Sequence, residues 1–124
     1  MLLVKTYLAK SPISGMGCFA AEPIKKGDII WSLLPGFDVV LTDEQFEALP
    51  AIAKEFTLHY CYYNKKEGGY ILCSDNGKYF NHSIKPNCVD EGLNTTAGRD
   101  IAIGEEITCN YYSFDEHAAR KLAP

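Results

Sequence analysis

The sequence predicts a mainly β protein made of several small sheets, with a short helical insert. Two observations predict it. Ten glycines and six prolines in 124 residues divide the chain into short apolar segments, which is typical of many short strands joined by turns. The chain is also 47% apolar, enough for one hydrophobic core and too short for two ordinary domains. We therefore expect a single domain over residues 1–124.

Apolar and β-branched residues between the turn signals place the strands. We predict strands near residues 3–8, 18–20, 28–33, 37–40, 70–73, 88–90, 95–99 and 106–110.

A weak internal repeat supports the division into small sheets. Ala20, Ile24, Gly27, Asp28 and Ile30 recur in the same spacing and order as Ala97, Ile101, Gly104, Glu105 and Ile107. Each copy is consistent with two strands joined by a turn at the glycine. The similarity could equally come from two ordinary turns, and the sequence leaves both explanations open.

Helix signals are confined to two places. Thr42 can cap a helix with Gln45 as the return partner of a capping box, and Asp43 and Glu44 suit the positive helix end. A second helical stretch follows Pro50, so the helical insert is predicted over 42–63. A short C-terminal helix is predicted over 115–122.

Charge and cysteine content exclude several classes of function. A net charge of −4 argues against general nucleic-acid binding and fits a basic partner better. No apolar run is long enough for a bilayer span, and no secretory leader is visible, so we expect an intracellular protein, cytoplasmic or, in a eukaryotic or viral setting, nuclear. Five cysteines without a C-x-x-C pair indicate free thiols and no metal site.

Three segments carry residue types that packing alone does not require. The first, 14–20, has two glycines before a strand, where backbone groups could hold a small polar ligand or simply form a tight turn. The second, 79–88, contains Asn81-His82-Ser83 and Pro86-Asn87, and His82 alone would suit a structural role. The third, 104–115, runs from a turn through a strand to an aromatic cluster that includes Tyr111.

In order and spacing, Gly15-x-Gly17, Asn81-His82-Ser83-x-x-Pro86-Asn87 and Gly104-Glu105-Glu106-Ile107-Thr108-x-x-Tyr111 resemble the signature of the SET-domain protein lysine methyltransferases. The resemblance extends from about residue 5 to 115. It implies the SET-domain fold, with a knot-like C-terminal crossing. It also implies transfer of a methyl group from S-adenosylmethionine to a lysine in a basic segment of a protein, and a histone or histone-like protein is one candidate substrate.

The resemblance also implies roles for single residues. Tyr111 would be the catalytic tyrosine, at the point where the cofactor pocket meets a narrow lysine channel. Cys109 would join it along that channel. Tyr60, Tyr62 or Tyr63 would contact the target from the helical insert, and we assign Tyr63 to the channel. The cofactor would be held by Met16, Gly17, Cys18, Asn81, His82 and Phe114.

Departures from the family pattern limit these expectations. Ile84 and the absence of a cysteine cluster after Tyr111 resemble small prokaryotic or viral members without zinc-bearing flanking modules. Cys109 replaces a common aromatic residue and would leave more room in the channel. Phe114 and the C-terminal helix predicted over 115–122 are candidates for the wall of the channel or the cover of the adenine, and the second subunit of a homodimer is the other candidate. Two other hypotheses stay open: an inactive SET-like binding module, and a zinc-bound domain using His82, Cys73 and Cys88, for which the ligand spacing is poor.

Overall fold

The computed structural model describes residues 1–91 and 93–124, which form short strands and a few short helices. The strands are β1 Thr6–Lys10, β2 Met16–Ala20, β3 Ile29–Ser32, β4 Val39–Leu41, β5 Tyr62–Asn64, β6 Gly69–Leu72, β7 Asn81–His82, β8 Cys88–Asp90, β9 Asn94–Ala97 and β10 Thr108–Cys109. The α-helices are α1 Asp43–Glu47, α2 Ala51–Tyr60 and α3 Ala118–Lys121. Single 3-10 turns cover Lys65–Glu67, Asn76–Tyr79 and Tyr111–Ser113.

Four small sheets make up the molecule. The strands β1 and β2 form an antiparallel hairpin, and the orders β3-β9-β8 and β4-β6-β5 describe two antiparallel three-stranded sheets. The fourth sheet is the parallel pair of β7 and β10, in which Asn81 aligns with Thr108 and His82 with Cys109. This parallel pair brings the second and third sequence motifs together, and the predicted mainly β fold of small sheets is confirmed.

The internal repeat forms the centre of the main core. Ile24 and Ile101, which are equivalent positions of the two copies, exchange backbone hydrogen bonds of 2.9 and 2.8 Å. On either side, the N–H of Gly27 donates to the carbonyl of Ala97, and that of Gly104 donates to Ala20. All six apolar repeat positions lie in one buried cluster: Ala20, Ile24, Ile30, Ala97, Ile101 and Ile107. The two copies therefore pair with each other around an approximate twofold axis, and the structure favours a true repeat over two unrelated turns.

The predicted helices are present but shorter than expected. The capping box at Thr42 forms with Gln45, and α1 follows it as the sequence indicates. The insert predicted over 42–63 is helical only to Tyr60, because 62–64 pairs with β6 instead. The helix predicted over 115–122 covers only Ala118–Lys121. Asp115 accepts the backbone N–H of His117, and this local turn competes with an earlier helix start.

Each of the eight predicted strands overlaps an observed one, whereas β5 and β7 were not predicted. Both are very short. The strand β5 pairs with the neighbouring β6, whereas β7 pairs with β10, which is distant in sequence. Within residues 1–91 and 93–124, none of the helices has the length and apolar character to cross a membrane.

Candidate active site

A large open groove separates the β1–β2 loop from α2 and the C-terminal segment. Its volume is about 780 Å³, which is within the usual range of roughly 300–1,000 Å³ for small-molecule sites. Its walls come from all three sequence motifs and from α2 and α3. They are Ile13, Ser14, Gly15, Met16, Glu55, Leu58, His59, Tyr60, Lys78, Tyr79, Phe80, Asn81, His82, Tyr111, Arg120, Lys121 and Leu122.

A second, narrow cavity of about 50 Å³ adjoins the groove. Half of the residues that line it carry aromatic rings, among them Trp31, Tyr62, Phe80, Tyr111 and Phe114. Six residues line both spaces, so the two meet along a shared wall: His59, Tyr60, Lys78, Phe80, Tyr111 and Lys121. The structure thus combines a wide groove, lined by both polar and apolar residues, with a narrow cavity rich in aromatic rings, and Tyr111 lines both.

Tyr111 is held by two hydrogen bonds of its own and by the cap of the turn in which it lies. The Asn110 side chain caps the 3-10 turn by accepting the N–H of Tyr112, which turns Tyr111 inward and leaves Tyr112 62% exposed. The backbone N–H of Tyr111 donates to Nδ1 of His82 at 3.1 Å, and its hydroxyl donates to the carbonyl of Phe80 at 2.5 Å. Burial raises the pKa of the Tyr111 phenol above its ordinary value. The tyrosine is therefore a neutral, fixed hydroxyl.

Asn81 connects the second motif to the first. Its Nδ2 donates to the carbonyls of Ser14 and Met16 at 3.1 and 3.2 Å, and to Oε2 of Glu106 at 2.8 Å. Both carboxylate oxygens of Glu106 also accept the hydroxyl of Ser11, at 2.8 and 2.9 Å. One carboxylate and one amide therefore fix the loop that forms an edge of the groove.

Only part of the predicted cofactor loop faces the groove. Met16 is 46% exposed and lines it, but Gly17 and Cys18 are buried. A Cβ atom on Gly17 would lie 2.5 Å from Oε2 of Glu106, so glycine is needed here for the Glu106 contact rather than for approach to a ligand. Cys18 packs in the main core, where burial raises its thiol pKa to about 12. Ser14 and Gly15 line the groove in their place.

Aromatic residues predicted for the two spaces are placed differently by the structure. Phe114 lines the narrow cavity and packs edge-on against Tyr62 and Tyr111, away from the large groove. Tyr63 lines neither space, because it stacks on His117 and its hydroxyl donates to Asp43. Neighbouring residues of a strand point to opposite faces, so it is Tyr62 that faces the cavity.

Cys109 is also away from the cavity. It is 1% exposed and belongs to the main core, beside Ile107 and Cys88. The expectation that a small side chain at this position widens the lysine channel is therefore wrong for this arrangement. Among residues 1–91 and 93–124, no three His, Cys, Asp or Glu side chains are grouped to hold a metal ion. Cys73 and Cys88 belong to different clusters, which contradicts a zinc site with His82.

The narrow cavity also contains residues outside the three motifs, and Trp31 is one that the sequence missed. The indole N–H of Trp31 and the hydroxyl of Tyr62 are buried there without a hydrogen-bond partner in the described part of the chain. Asp115 and Lys121 form an ion pair on the same wall. Tyr62 was one of three tyrosines considered for the substrate side, and Lys121 lies in the predicted C-terminal helix. Nothing local indicates that Trp31 or Lys121 reaches the cavity.

Comparison with known proteins assigns the class. The SET domain model matches residues 15–112, which include all three motifs. The chain therefore belongs to the SET-domain family of lysine methyltransferases.

Solved structures share the fold. A candidate histone methyltransferase from Plasmodium falciparum is 27% identical, with a TM-score of 0.61 over 89% of this chain and 95% of that one. Polycomb repressive complex 2 from Chaetomium thermophilum, autoinhibited and bound to S-adenosylmethionine, is 21% identical, with a TM-score of 0.68 over 96% of this chain. The same complex with H3K27me3 and H3K27M gives a TM-score of 0.64 at 21% identity, over 87% of this chain. This chain spans only 16% and 14% of those two polycomb chains.

Proposed function

We propose that this protein transfers a methyl group from S-adenosylmethionine to the side-chain amine of a lysine in a protein substrate. The observation that carries the proposal is the position of Tyr111 between a wide groove and a narrow aromatic cavity. The groove would hold the methyl donor and the cavity the acceptor side chain. Family membership supports the reaction class, and a fold neighbour is bound to S-adenosylmethionine.

The groups around the groove fit the methyl donor. A cofactor with a carboxylate, a sulfonium and a purine needs a cation, polar backbone and apolar surface. Lys78 and Arg120 offer the cations, and the exposed loop at Ser14–Met16 offers backbone groups. A Cβ on Gly15 would meet nothing within 4 Å, so this part of the loop is open. Met16, Tyr79 and the ring of His82 supply apolar and aromatic surface.

Tyr111 would orient the acceptor amine by hydrogen bonding. S-adenosylmethionine supplies an activated methyl group on a positively charged sulfur. The acceptor lysine, with a reference pKa of roughly 10.4, has to lose a proton before it can attack. Burial among aromatic rings disfavours its charged form. Because the raised pKa keeps Tyr111 as a phenol, its oxygen orients the neutral amine and does not remove its proton.

Asn81 and His82 would position the parts of the protein that surround the methyl donor. Asn81 holds the Ser14–Met16 edge of the groove, and His82 accepts the Tyr111 N–H on Nδ1. A neutral imidazole that accepts on Nδ1 carries its proton on Nε2, where it can donate. Both residues therefore connect the donor groove to the tyrosine.

A basic segment is the substrate class that charge favours. The net charge of −4 attracts a positively charged partner, although it does not select one lysine. The fold neighbours include a complex with histone H3 peptides, which makes a histone-like tail one candidate and other basic proteins another.

Transfer of labelled methyl from S-adenosylmethionine to basic proteins and peptides tests the proposal, with Tyr111→Phe beside the wild type. Loss of the orienting hydroxyl is expected to lower kcat by about 10²-fold or more, in line with misplacement of reacting groups. Tyr112→Phe is the matched control, because Tyr112 is 62% exposed and its hydroxyl forms no hydrogen bond within the described residues. It is expected to keep wild-type rates.

Two results would overturn the assignment. If the wild type binds S-adenosylmethionine but labels no lysine in any basic protein or cell extract, the protein is a SET-like binding module. If Tyr111→Phe and Tyr112→Phe lose the same activity, the position between groove and cavity does not identify the catalytic tyrosine.

A further inference from the structure

A lysine of the chain itself reaches the wall shared by groove and cavity. Lys121, at the end of α3, has a side chain only 15% exposed. Its Nζ donates to the carbonyl of Cys61 and lies 5.7 Å from the centre of the Tyr111 ring. A cation is thus fixed beside the tyrosine that we assign to the acceptor amine.

The counter-charge is Asp115, whose side chain is 1% exposed. Its Oδ1 accepts the backbone N–H groups of Tyr63 and His117 at 3.0 and 2.9 Å. Its Oδ2 forms an ion pair of 2.8 Å with Nζ of Lys121 and has no other polar partner within the described residues. The ammonium of Lys121 is therefore the group that satisfies this buried oxygen.

A buried carboxylate without that partner would capture any other cation within reach. An acceptor lysine enters as an ammonium from solution, and an opposite charge within about 4–6 Å raises its pKa by roughly 1 to 3 units. A captured ammonium has no lone pair for attack on a methyl group.

We propose that Lys121 is a positioning residue of the transfer reaction. By occupying Asp115 it leaves the cavity without an open carboxylate at this wall, so that the acceptor amine binds neutral. The inference rests on the function proposed above, since it concerns the protonation state of the acceptor. It also explains why a charged side chain is placed in a largely aromatic cavity.

Other charged or titratable groups face the same space, and the test has to keep them constant. Asp90 accepts the Thr95 hydroxyl at 2.8 Å and is present in every variant compared below. The remaining groups, from α2, β5, the end of β6 and the turn that follows, are His59, Tyr60, Tyr62, Cys73 and Lys78.

The experiment is a titration of the cofactor-free protein with n-butylamine, a mimic of the lysine side chain. Trp31 is the single tryptophan of the chain, and its indole N–H lines the cavity, so one ¹⁵N–¹H indole resonance reports occupancy. If the wild type selects the neutral amine, the apparent affinity rises about tenfold per pH unit from pH 7 to 9, because the neutral fraction does.

Removal of Lys121 should reverse this selectivity. In Lys121→Met and Lys121→Gln, Asp115 is left to bind the ammonium, so the affinity is expected to become nearly independent of pH over the same range. The double variant Lys121→Met with Asp115→Asn has no carboxylate at position 115, and its pH dependence should return. Lys54→Met removes a distant cation paired with Glu47 and should behave as the wild type.

A purely structural role predicts a different pattern. The single and double variants would then keep the pH dependence of the wild type. That result overturns the inference, as does a wild type that prefers the ammonium or shows no response of the Trp31 resonance. The wild-type titration can still overturn the inference if both single variants fail to fold, because the inference requires the wild type to select the neutral amine.

The titration contains no methyl donor, so it can succeed while methyl transfer fails, which separates this inference from the proposed function. Where transfer is measurable, the acid limb of the kcat profile should move up by about 1 to 3 pH units in Lys121→Gln and return in the double variant.

Discussion

Nδ2 of Asn81 donates to Oε2 of Glu106 at 2.8 Å, and this bond joins two motifs that are separated in sequence. The same carboxylate accepts the hydroxyl of Ser11, whose oxygen also accepts the N–H of Ile13 and so forms the turn before the groove edge. The contact is possible only because Gly17 has no side chain in that space. Gly17 and Asn81, which the sequence resemblance assigned to cofactor contacts, thus help to build the edge of the groove.

Glu106→Ala is expected to destabilise the protein by about 1–3 kcal/mol, because it leaves the half-buried Asn81 and buried Ser11 donors with fewer acceptors. It should also weaken S-adenosylmethionine binding by loosening the loop. Urea unfolding and titration calorimetry measure the two effects.

The adjacent Glu105→Ala is the control. Its carboxylate pairs with the exposed Arg99 at 2.9 Å, and such surface pairs contribute only about 0–1 kcal/mol. Equal losses of cofactor affinity in both variants would contradict a specific role for the Glu106 contacts.

The two neighbouring tyrosines of β5 should differ in what the loss of their hydroxyls does to the methylated product. Tyr62→Phe removes a buried hydroxyl that has no partner among the described residues, so the free energy of unfolding is expected to stay constant or rise by about 1 kcal/mol. Its side chain lines the narrow cavity that we propose for the acceptor lysine, so the distribution of mono-, di- and trimethylated product should change.

Tyr63→Phe loses a hydrogen bond to Asp43 outside the cavity and should leave the product distribution unchanged. Mass spectrometry of a methylated peptide compares the two variants. A changed distribution in Tyr63→Phe alone would restore Tyr63 to the channel.

The sequence was sufficient for features that depend on local chemistry. The capping box at Thr42 and the turn at Gly27 form where they were predicted, because the interactions that stabilise them lie within a few residues. The orientation of side chains at the site depends instead on strand pairing. Tyr62 and Tyr63 exchange roles if the register of β5 moves by one residue, and periodicity cannot set a register for so short a strand.

The sequence also could not place site residues that lie outside the motifs. Lys121 reaches Tyr111 because α3 folds back on Cys61, a contact between residues 60 positions apart. Trp31 belongs to the site only through the packing of β3 against Tyr62. Neither contact has a local signal, so the sequence could name Phe114 and the C-terminal helix as candidates for a wall but could not show that Lys121 and Trp31 line the narrow cavity.

Cys109→Phe tests where this position lies. Members of the family that the sequence resembles commonly have an aromatic residue at this position. That resemblance predicts that Cys109→Phe folds well and has a narrower channel. The structure places Cys109 in the core at 1% exposure, so the larger ring is expected to destabilise by about 1–3 kcal/mol through overpacking. Chemical denaturation measures the change, with the isosteric Cys109→Ser as a size control. Wild-type stability with altered methyl number would contradict the observed core position.

Stability should fall at alkaline pH because of the buried thiols. Burial raises the pKa of Cys18 to about 12 and that of Cys61 to about 11, from an ordinary value of 9.0. The folded protein then holds protons that the unfolded chain releases, so unfolding is favoured as the pH rises from 9 toward these values. Below pH 9 this contribution to stability is fully present.

The expected loss is about 1 kcal/mol per thiol for the first pH unit above 9, since one unit of pKa difference corresponds to roughly 1.4 kcal/mol. Free energies of unfolding from urea titrations at pH 7, 8, 9 and 10 give the slope. Cys18→Ala should be less stable at pH 7, because it loses packed core volume, and should show a shallower decline above pH 9. A wild-type stability that is constant from pH 8 to 10 would mean that Cys18 and Cys61 ionise as freely in the folded protein as in the unfolded chain, and hence that they are not buried as the structure places them.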